Sequence, residues 1–170
     1  LDRLHSTAES HQRVMVVEVM GRYAGWIALH AGISGSAQVI LIPEIPFDLD
    51  KVAAKIRQRD AQGRMYSLVM VAEGALPLDG QRALLESANA GHVERLGGIG
   101  DHVAKALESR TGKEARVVVL GHLLRGGSPT TFDRLAALRF GAAAVRALEA
   151  GMSGVMVALA YPNVNHVPLS

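Results

Sequence analysis

The chain alternates between two hydrophobic rhythms. Val14-Met15-Val16-Val17-Glu18-Val19 is β-branched and almost continuously apolar, the pattern of a strand buried on both faces of a parallel sheet. Beyond Gly21 the period changes. Ala24, Ile27, Ala28 and Ala31 fall at i, i+3, i+4 and i+7, which predicts a helix with one apolar face, stopped by Gly32 or Gly35. The alternation then repeats. Val39-Ile40-Leu41-Ile42 predicts a second strand closed by Pro43, and Phe47-Asp48-Leu49-Asp50 opens a helix running through Val52, Ala53 and Ile56 to about Gly63. Further strands are expected over Ser67 to Ala72, Ala115 to Leu120 and Gly154 to Ala160. Between them, Leu84 to Ala88 reads as a short helix, and Gly97-Gly98-Ile99-Gly100 leads into a helix from Asp101 to about Ser109. Ser128 as N-cap with Pro129 at the first helical position predicts a last helix reaching about Leu148.

Strands alternating with helices across short turns predict an α/β fold with a doubly wound parallel sheet. Such sheets bind ligands at the carboxyl ends of their strands. No internal repeat, low-complexity tract or linker divides the chain, so residues 1–170 are read as one piece.

Composition narrows the class. A hydrophobic fraction of 49% with 4% aromatics and 18 glycines points to a core of Val, Ile, Leu and Ala. Lys plus Arg total 18 against 16 Asp plus Glu, a net charge of +2, far from the basic stripe of a nucleic-acid surface. With no cysteine, disulfide scaffolds, zinc ribbons and thiol nucleophiles are excluded. No uncharged run of about 18 apolar residues is present, and Leu1-Asp2-Arg3-Leu4-His5 lacks the apolar region of a signal peptide. A cytoplasmic location is the expectation. The missing initial Met, and an end soon after the strand-like run at Pro168-Leu169-Ser170, read as a piece of something longer.

The informative charges stand directly after strands: Arg22, Glu73, and His122 with Arg125. Gly121, Gly126 and Gly127 around Arg125 would let backbone amides approach an anion, and a helix start at Ser128 to Thr131 would add a positive dipole end. A guanidinium offers phosphate a fork that lysine lacks, so Arg13, Arg22, Arg116 and Arg125 are better phosphate ligands than Lys51 or Lys55. Each has a plainer reading. A single arginine after a strand is more often a surface residue, a Glu in Val-Ala-Glu-Gly serves equally as a turn residue with an ion-pair partner, and one imidazole defines no chemistry.

Other motifs have structural explanations. Asp48-Leu49-Asp50 looks like a carboxylate metal site, but acids at a helix start cap it and complement its dipole. Gly97-Gly98-Ile99-Gly100 is an incomplete dinucleotide fingerprint, better read as a loop before the helix N-cap. Thr111-Gly112-Lys113 is a helix-to-strand turn, and Ala136-Ala137 with Ala142-Ala143-Ala144 reads as core packing.

Taken in order, five segments resemble the 6-phosphofructokinase family over nearly the whole chain. They are Ser10-His11-Gln12-Arg13; Val17-Glu18-Val19-Met20-Gly21-Arg22; Ala72-Glu73-Gly74; Leu120-Gly121-His122 through Arg125-Gly126-Gly127-Ser128-Pro129; and Phe132-Asp133-Arg134. The resemblance implies the Rossmann-like, substrate-binding C-terminal part of that fold. The implied enzyme transfers a phosphoryl group from ATP or pyrophosphate, with Mg²⁺, to the 1-hydroxyl of fructose 6-phosphate. On this resemblance Met20, Gly21 and Arg22 contact the sugar phosphate, and Arg22 also stabilises the transferring group. Glu73 accepts hydrogen bonds from sugar hydroxyls, and His122 and Arg125 hold the 6-phosphate. Arg13 and Arg116 match arginines that reach the same phosphate from a neighbouring subunit, which implies a homodimer or homotetramer.

The family's glycine-rich donor loop and Thr-x-Asp-x-Asp base motif have no counterpart here. Donor and Mg²⁺ are therefore expected to be bound mainly by an absent half, and this chain alone to bind sugar phosphate weakly and not turn over. Positions where compact bacterial ATP enzymes of the family hold charged effector ligands are His5, Gln38 and Gln62 here, which argues against that nucleotide regulation. Thr7-Ala8-Glu9-Ser10-His11 and Gly25-Trp26-Ile27-Ala28 resemble the branch holding both donor types. Two other classes stay open: a non-catalytic sugar-phosphate regulatory module and a generic nucleotide-binding α/β domain.

Overall fold

The structure, a computed structural model, describes residues 1–78, 80, 84–86 and 95–169. Its elements in chain order are α1 (Asp2–Ser10), β1 (Val14–Val19), α2 (Trp26–Ser34), β2 (Val39–Leu41), α3 (Leu49–Ala61), β3 (Ser67–Ala72), β4 (Leu84–Glu86) and β5 (Arg95–Leu96). There follow α4 (Ile99–Thr111), β6 (Ala115–Val119), a 3-10 helix (Gly121–Arg125), α5 (Thr131–Glu149), β7 (Val155–Ala160) and β8 (Asn163–Pro168). The chain divides into two compact units, Leu1–Arg125 and Gly126–Ser170.

The first unit is built on a parallel sheet of order β2-β3-β1-β6. All six residues of β1 and all six of β3 are buried, because both faces carry helices. Alternation divides the side chains between two cores. Val14, Val16, Val69, Val71 and Ala115 pack against Leu49, Val52, Ala53 and Ile56 of α3 and Ile99, Val103 and Leu107 of α4. Met15, Val17, Val19, Leu68, Met70 and Ala72 face Ala8 of α1 and Ala28 of α2, with Leu1, Leu4 and Ala31 at the margin. Each buried Val, Leu or Ile stabilises the unit by about 1.5–3 kcal/mol. The parallel, doubly wound α/β fold expected from the hydrophobic rhythm is the one observed.

Asp48 caps α3, accepting from the backbone N–H of Asp50 at 2.8 Å and of Lys51 at 3.3 Å. Asp50 in turn pairs with Arg110 of α4 at 2.7 Å. Capping, not metal binding, occupies this acidic pair. Gly112 ends α4 in the left-handed region with φ 69°, so Thr111-Gly112-Lys113 is the turn it was read as.

Three expectations are corrected, and one helix goes unpredicted. The helix expected over Leu84 to Ala88 is a strand at Leu84–Glu86, paired antiparallel with Arg95–Leu96; positions 87 and 88 lie outside the described residues. Periodicity cannot separate so short an apolar run from a helix. Helix α1 was not predicted at all, although Leu1, Leu4 and Ala8 keep helical spacing. The last helix begins at Thr131, capped by Thr130 rather than Ser128. Thr130 Oγ1 accepts from Asp133 N–H at 3.2 Å, and the Asp133 carboxylate takes the Thr130 N–H at 2.7 Å, a reciprocal box for which Ser128, with Thr131 three residues on, has no carboxylate. The last strand, β7, leaves the parallel sheet and pairs antiparallel with β8 across the turn at Tyr161-Pro162.

In the second unit, α5 and the β7–β8 hairpin bury Ala143 and Ala147. Of the five alanines read as core, Ala143 is buried while Ala137 and Ala142 are exposed.

Candidate functional site

The parallel strands of the first unit end together, and their ends carry the charges. After β1 the chain passes through Met20, Gly21 and Arg22; after β3 through Glu73 and Gly74; after β6 into the 3-10 helix with His122 and Arg125. Backbone bonds lash these ends to one another. Glu73 N–H donates to Val19 C=O at 2.9 Å, Gly74 N–H to Gly21 C=O at 3.0 Å, and Leu120 N–H to Glu18 C=O at 3.0 Å. Gly74 is required by this closeness, since a Cβ there would stand 2.0 Å from the carbonyl oxygen of Arg22. Gly21 N–H also points at Glu73 Oε1, at 3.4 Å.

These segments surround one cavity of about 570 Å³ that is lined by Met20, Gly21, Arg22, Glu73, His122 and Arg125. Six of the eight residues singled out in the sequence therefore meet. The Arg22 guanidinium also lies 6.0 Å from the centroid of the Tyr23 ring, within reach of a cation–π contact. The remaining two, Arg13 and Arg116, are not brought to this cavity. Arg13 immediately precedes β1 and Arg116 is the second residue of β6, at the amino ends of strands whose carboxyl ends face the cavity. Both pair with Glu114, Arg13 through Nε to Oε2 at 2.5 Å and Arg116 through Nη2 to Oε1.

The cavity has residues that sequence reasoning missed. Glu18, Gly97, Gly98, Asp101 and Val119 also line it, beside Gly121, which the sequence had placed near Arg125. Gly97 and Gly98 do form the loop before a helix, but the helix starts at Ile99 and the loop is also a cavity wall. Glu18 offered a signal: it is the one charge inside an apolar run that reads as buried on both faces. Burial raises its carboxyl above the usual range, hydrogen bonds from the Gly100 and Gly98 amides pull it back, and the charges of Asp101 and Glu73 push it up again. The site is bipolar, with Arg22, His122 and Arg125 as cationic groups and Glu73 and Asp101 as carboxyls, while the buried Glu18 carboxyl is engaged by the Gly100 amide. Such a lining suits a ligand with an anionic ester and several hydroxyls, the fork of a guanidinium taking phosphate oxygens and a carboxylate taking hydroxyl protons.

Mg²⁺ finds no such welcome. Among the described residues, no three His, Asp or Glu side chains converge to hold a metal ion, and Glu18 is already committed to a backbone amide. The described residues do not fit a magnesium site.

The positions expected to bear on effectors lie elsewhere in the first unit. His5 and Gln38 line a separate cavity of about 530 Å³ with Arg59 and Arg64. His5 Nε2 donates to Gly35 C=O at 2.6 Å, leaving Nδ1 to accept from the Tyr66 hydroxyl at 3.3 Å. Gln38 Oε1 accepts from Leu68 N–H at 2.6 Å. The third, Gln62, serves as the C-cap of α3. Among the described residues, no helix is long and apolar enough to cross a membrane.

The Phosphofructokinase family profile matches residues 1–148. The chain is 56% identical over 170 residues to the ATP-dependent 6-phosphofructokinase of Chloroflexus aggregans, covering all of this chain and 46% of that relative. It is 54% identical over 172 residues to the pyrophosphate--fructose 6-phosphate 1-phosphotransferase of Amycolatopsis mediterranei, again over the whole chain and 50% of the relative. Its backbone is similar to that of phosphofructokinase from Saccharomyces cerevisiae, with TM-score 0.79 and 30% identity, covering 99% of this chain and 21% of the other. The chain thus spans about half the length of the curated relatives it matches, 46% and 50% of the two named. With matching sequence and matching backbone over nearly its full extent, the chain belongs to the phosphofructokinase family.

Proposed function

We propose that this chain supplies the fructose 6-phosphate site of a phosphofructokinase, an enzyme that transfers a phosphoryl group to the sugar's 1-hydroxyl. The carrying observation is that Arg22, Glu73, His122 and Arg125, drawn from three strand ends, line a single cavity. In this reading His122 and Arg125 bind the 6-phosphate, Glu73 accepts from the sugar hydroxyls, and Met20 and Gly21 seat the ring. Arg22 is the catalytic residue, its fixed positive charge meeting the charge that develops on the transferring group. Positioning and electrostatics are the chain's contribution, and the residues that bind donor and Mg²⁺ belong to a further half. Residues 1–170 thus act as the sugar-phosphate half of a cytoplasmic enzyme.

ATP is the donor we propose. Pyrophosphate is the second reading, because relatives of nearly equal identity use one or the other by name. A non-catalytic regulatory module would keep the same cavity but lack turnover in the full-length protein.

Arg125→Ala in the full-length enzyme tests the assignment. Losing charge-assisted hydrogen bonds to a phosphate should raise the KM for fructose 6-phosphate by about tenfold or more, with the KM for donor nearly unchanged. Equal effects on both substrates would refute it, and ligand titration showing nucleotide binding without sugar-phosphate binding would favour a nucleotide domain.

A further inference from the structure

Among the described residues, Glu18 is the one ionisable side chain in the buried core, 4% exposed. A carboxylate in such a place costs several kcal/mol unless its oxygens are satisfied, so its partners say what holds it there. Oε2 accepts the N–H of Gly100, in the first turn of α4, at 2.7 Å. Gly100 leaves room for this contact and no more. A Cβ there would meet Glu18 Oε2 at 2.9 Å and Val117 Cγ1 at 3.0 Å. The main-chain carbonyl of Glu18 accepts the Leu120 N–H at 3.0 Å, one residue before the 3-10 helix that bears His122 and Arg125. Glu18 therefore joins the end of β1 to the start of α4 through its side chain and to the end of β6 through its backbone. The α4 end is a cavity wall, formed by Gly97, Gly98 and Asp101.

We propose that Glu18 is a positioning residue of the sugar-phosphate site, its carboxylate clamping the amino end of α4 so that Gly97, Gly98 and Asp101 keep their places in the cavity wall. The ligand rests on the function proposed above, whereas the clamp rests on the geometry alone. Glu18 acts through Gly100 and need not touch the sugar. An acceptor oxygen, not a negative charge, is what the role demands, so glutamine should replace it and an apolar side chain of similar length should not.

The test compares wild type with Glu18→Gln and Glu18→Met in two readouts. The first needs no ligand: exchange of the Gly100 amide proton followed by NMR. Glu18→Gln should hold the exchange rate near that of wild type, while Glu18→Met should accelerate it by about tenfold or more with amides of β3 unchanged. The second is the fructose 6-phosphate KM set against kcat in the full-length enzyme. Glu18→Met should raise KM by about tenfold and move kcat little, and Glu18→Gln should restore KM. A protected Gly100 in Glu18→Met, or an unprotected one in Glu18→Gln, overturns the clamp; the glutamine variant decides this even where the methionine one does not fold. Lost protection with unchanged KM overturns the link to the site. A wild-type enzyme that fails to saturate with fructose 6-phosphate sinks the proposed function instead, and leaves the clamp to be judged by Gly100.

Discussion

Glu18 also records what the site costs at the level of a single residue. Burial is the largest influence on its carboxyl and raises it; the Gly100 and Gly98 amides lower it, Asp101 and Glu73 each push it up by less, and the net direction is upward. A carboxyl raised in the folded state holds its proton more tightly there than in the unfolded chain. Stability from this group is therefore full below the ordinary value of 4.5 and declines as pH climbs from there through the raised native value. Glutamine keeps the acceptor for Gly100 and cannot ionise. Thermal unfolding of wild type and Glu18→Gln between acid and neutral pH should then diverge in one direction, the variant gaining on wild type as pH rises. Parallel curves across that range would mean that burial does not govern this carboxyl.

At the level of elements, α5 shows two start signals competing within a few residues. Ser128-Pro129 satisfies the rule for an N-cap followed by proline, yet Thr130 and Asp133 form reciprocal hydrogen bonds and the helix begins after Thr130. The Thr130 hydroxyl and N–H hold the Asp133 carboxyl below its usual range. That contribution is present above the ordinary carboxyl value and is lost as pH falls through the depressed one. Thr130→Ala should weaken the helix start by about 1 kcal/mol, seen as faster amide exchange at residues 131–133, whereas Ser128→Ala should leave those amides unchanged. The contrast shows where sequence is legible. The central strand β1 and its neighbour β3 were readable to the residue, because each is an apolar run of strand length closed by a glycine turn, at Gly21 and Gly74. The 3-residue β4 was not, because its pairing partner β5 lies beyond a segment that no local pattern connects to it. Cavity residues divided likewise. Arg22, Glu73, His122 and Arg125 stand after strands and announce themselves. Gly97, Gly98 and Asp101 arrive at the same place from the start of a helix, where glycine and aspartate are already explained by capping.

At the scale of the whole molecule, Arg13 and Arg116 become informative by where they are. They lie at the amino ends of the strands, joined through Glu114, with the Arg116 side chain 60% exposed. An exposed arginine away from its own chain's cavity could instead reach a phosphate held by another copy. We propose that it does, in a homodimer or homotetramer whose sites are each completed by a neighbour. The consequence is genetic as well as structural. Arg116→Ala damages the neighbour's site, Arg125→Ala damages the chain's own, and each homo-oligomer should bind fructose 6-phosphate poorly. When the two variants are unfolded and reassembled in equal amounts, random pairing makes half the dimers hybrids. In each hybrid one site draws Arg125 from one chain and Arg116 from the other and is intact, while the second site carries both lesions. Activity should thus recover to about a quarter of wild type if the sites are shared across a symmetric interface. Should each chain complete its own site, no pairing restores both arginines to one cavity, and the mixture stays at the mean of the two variants.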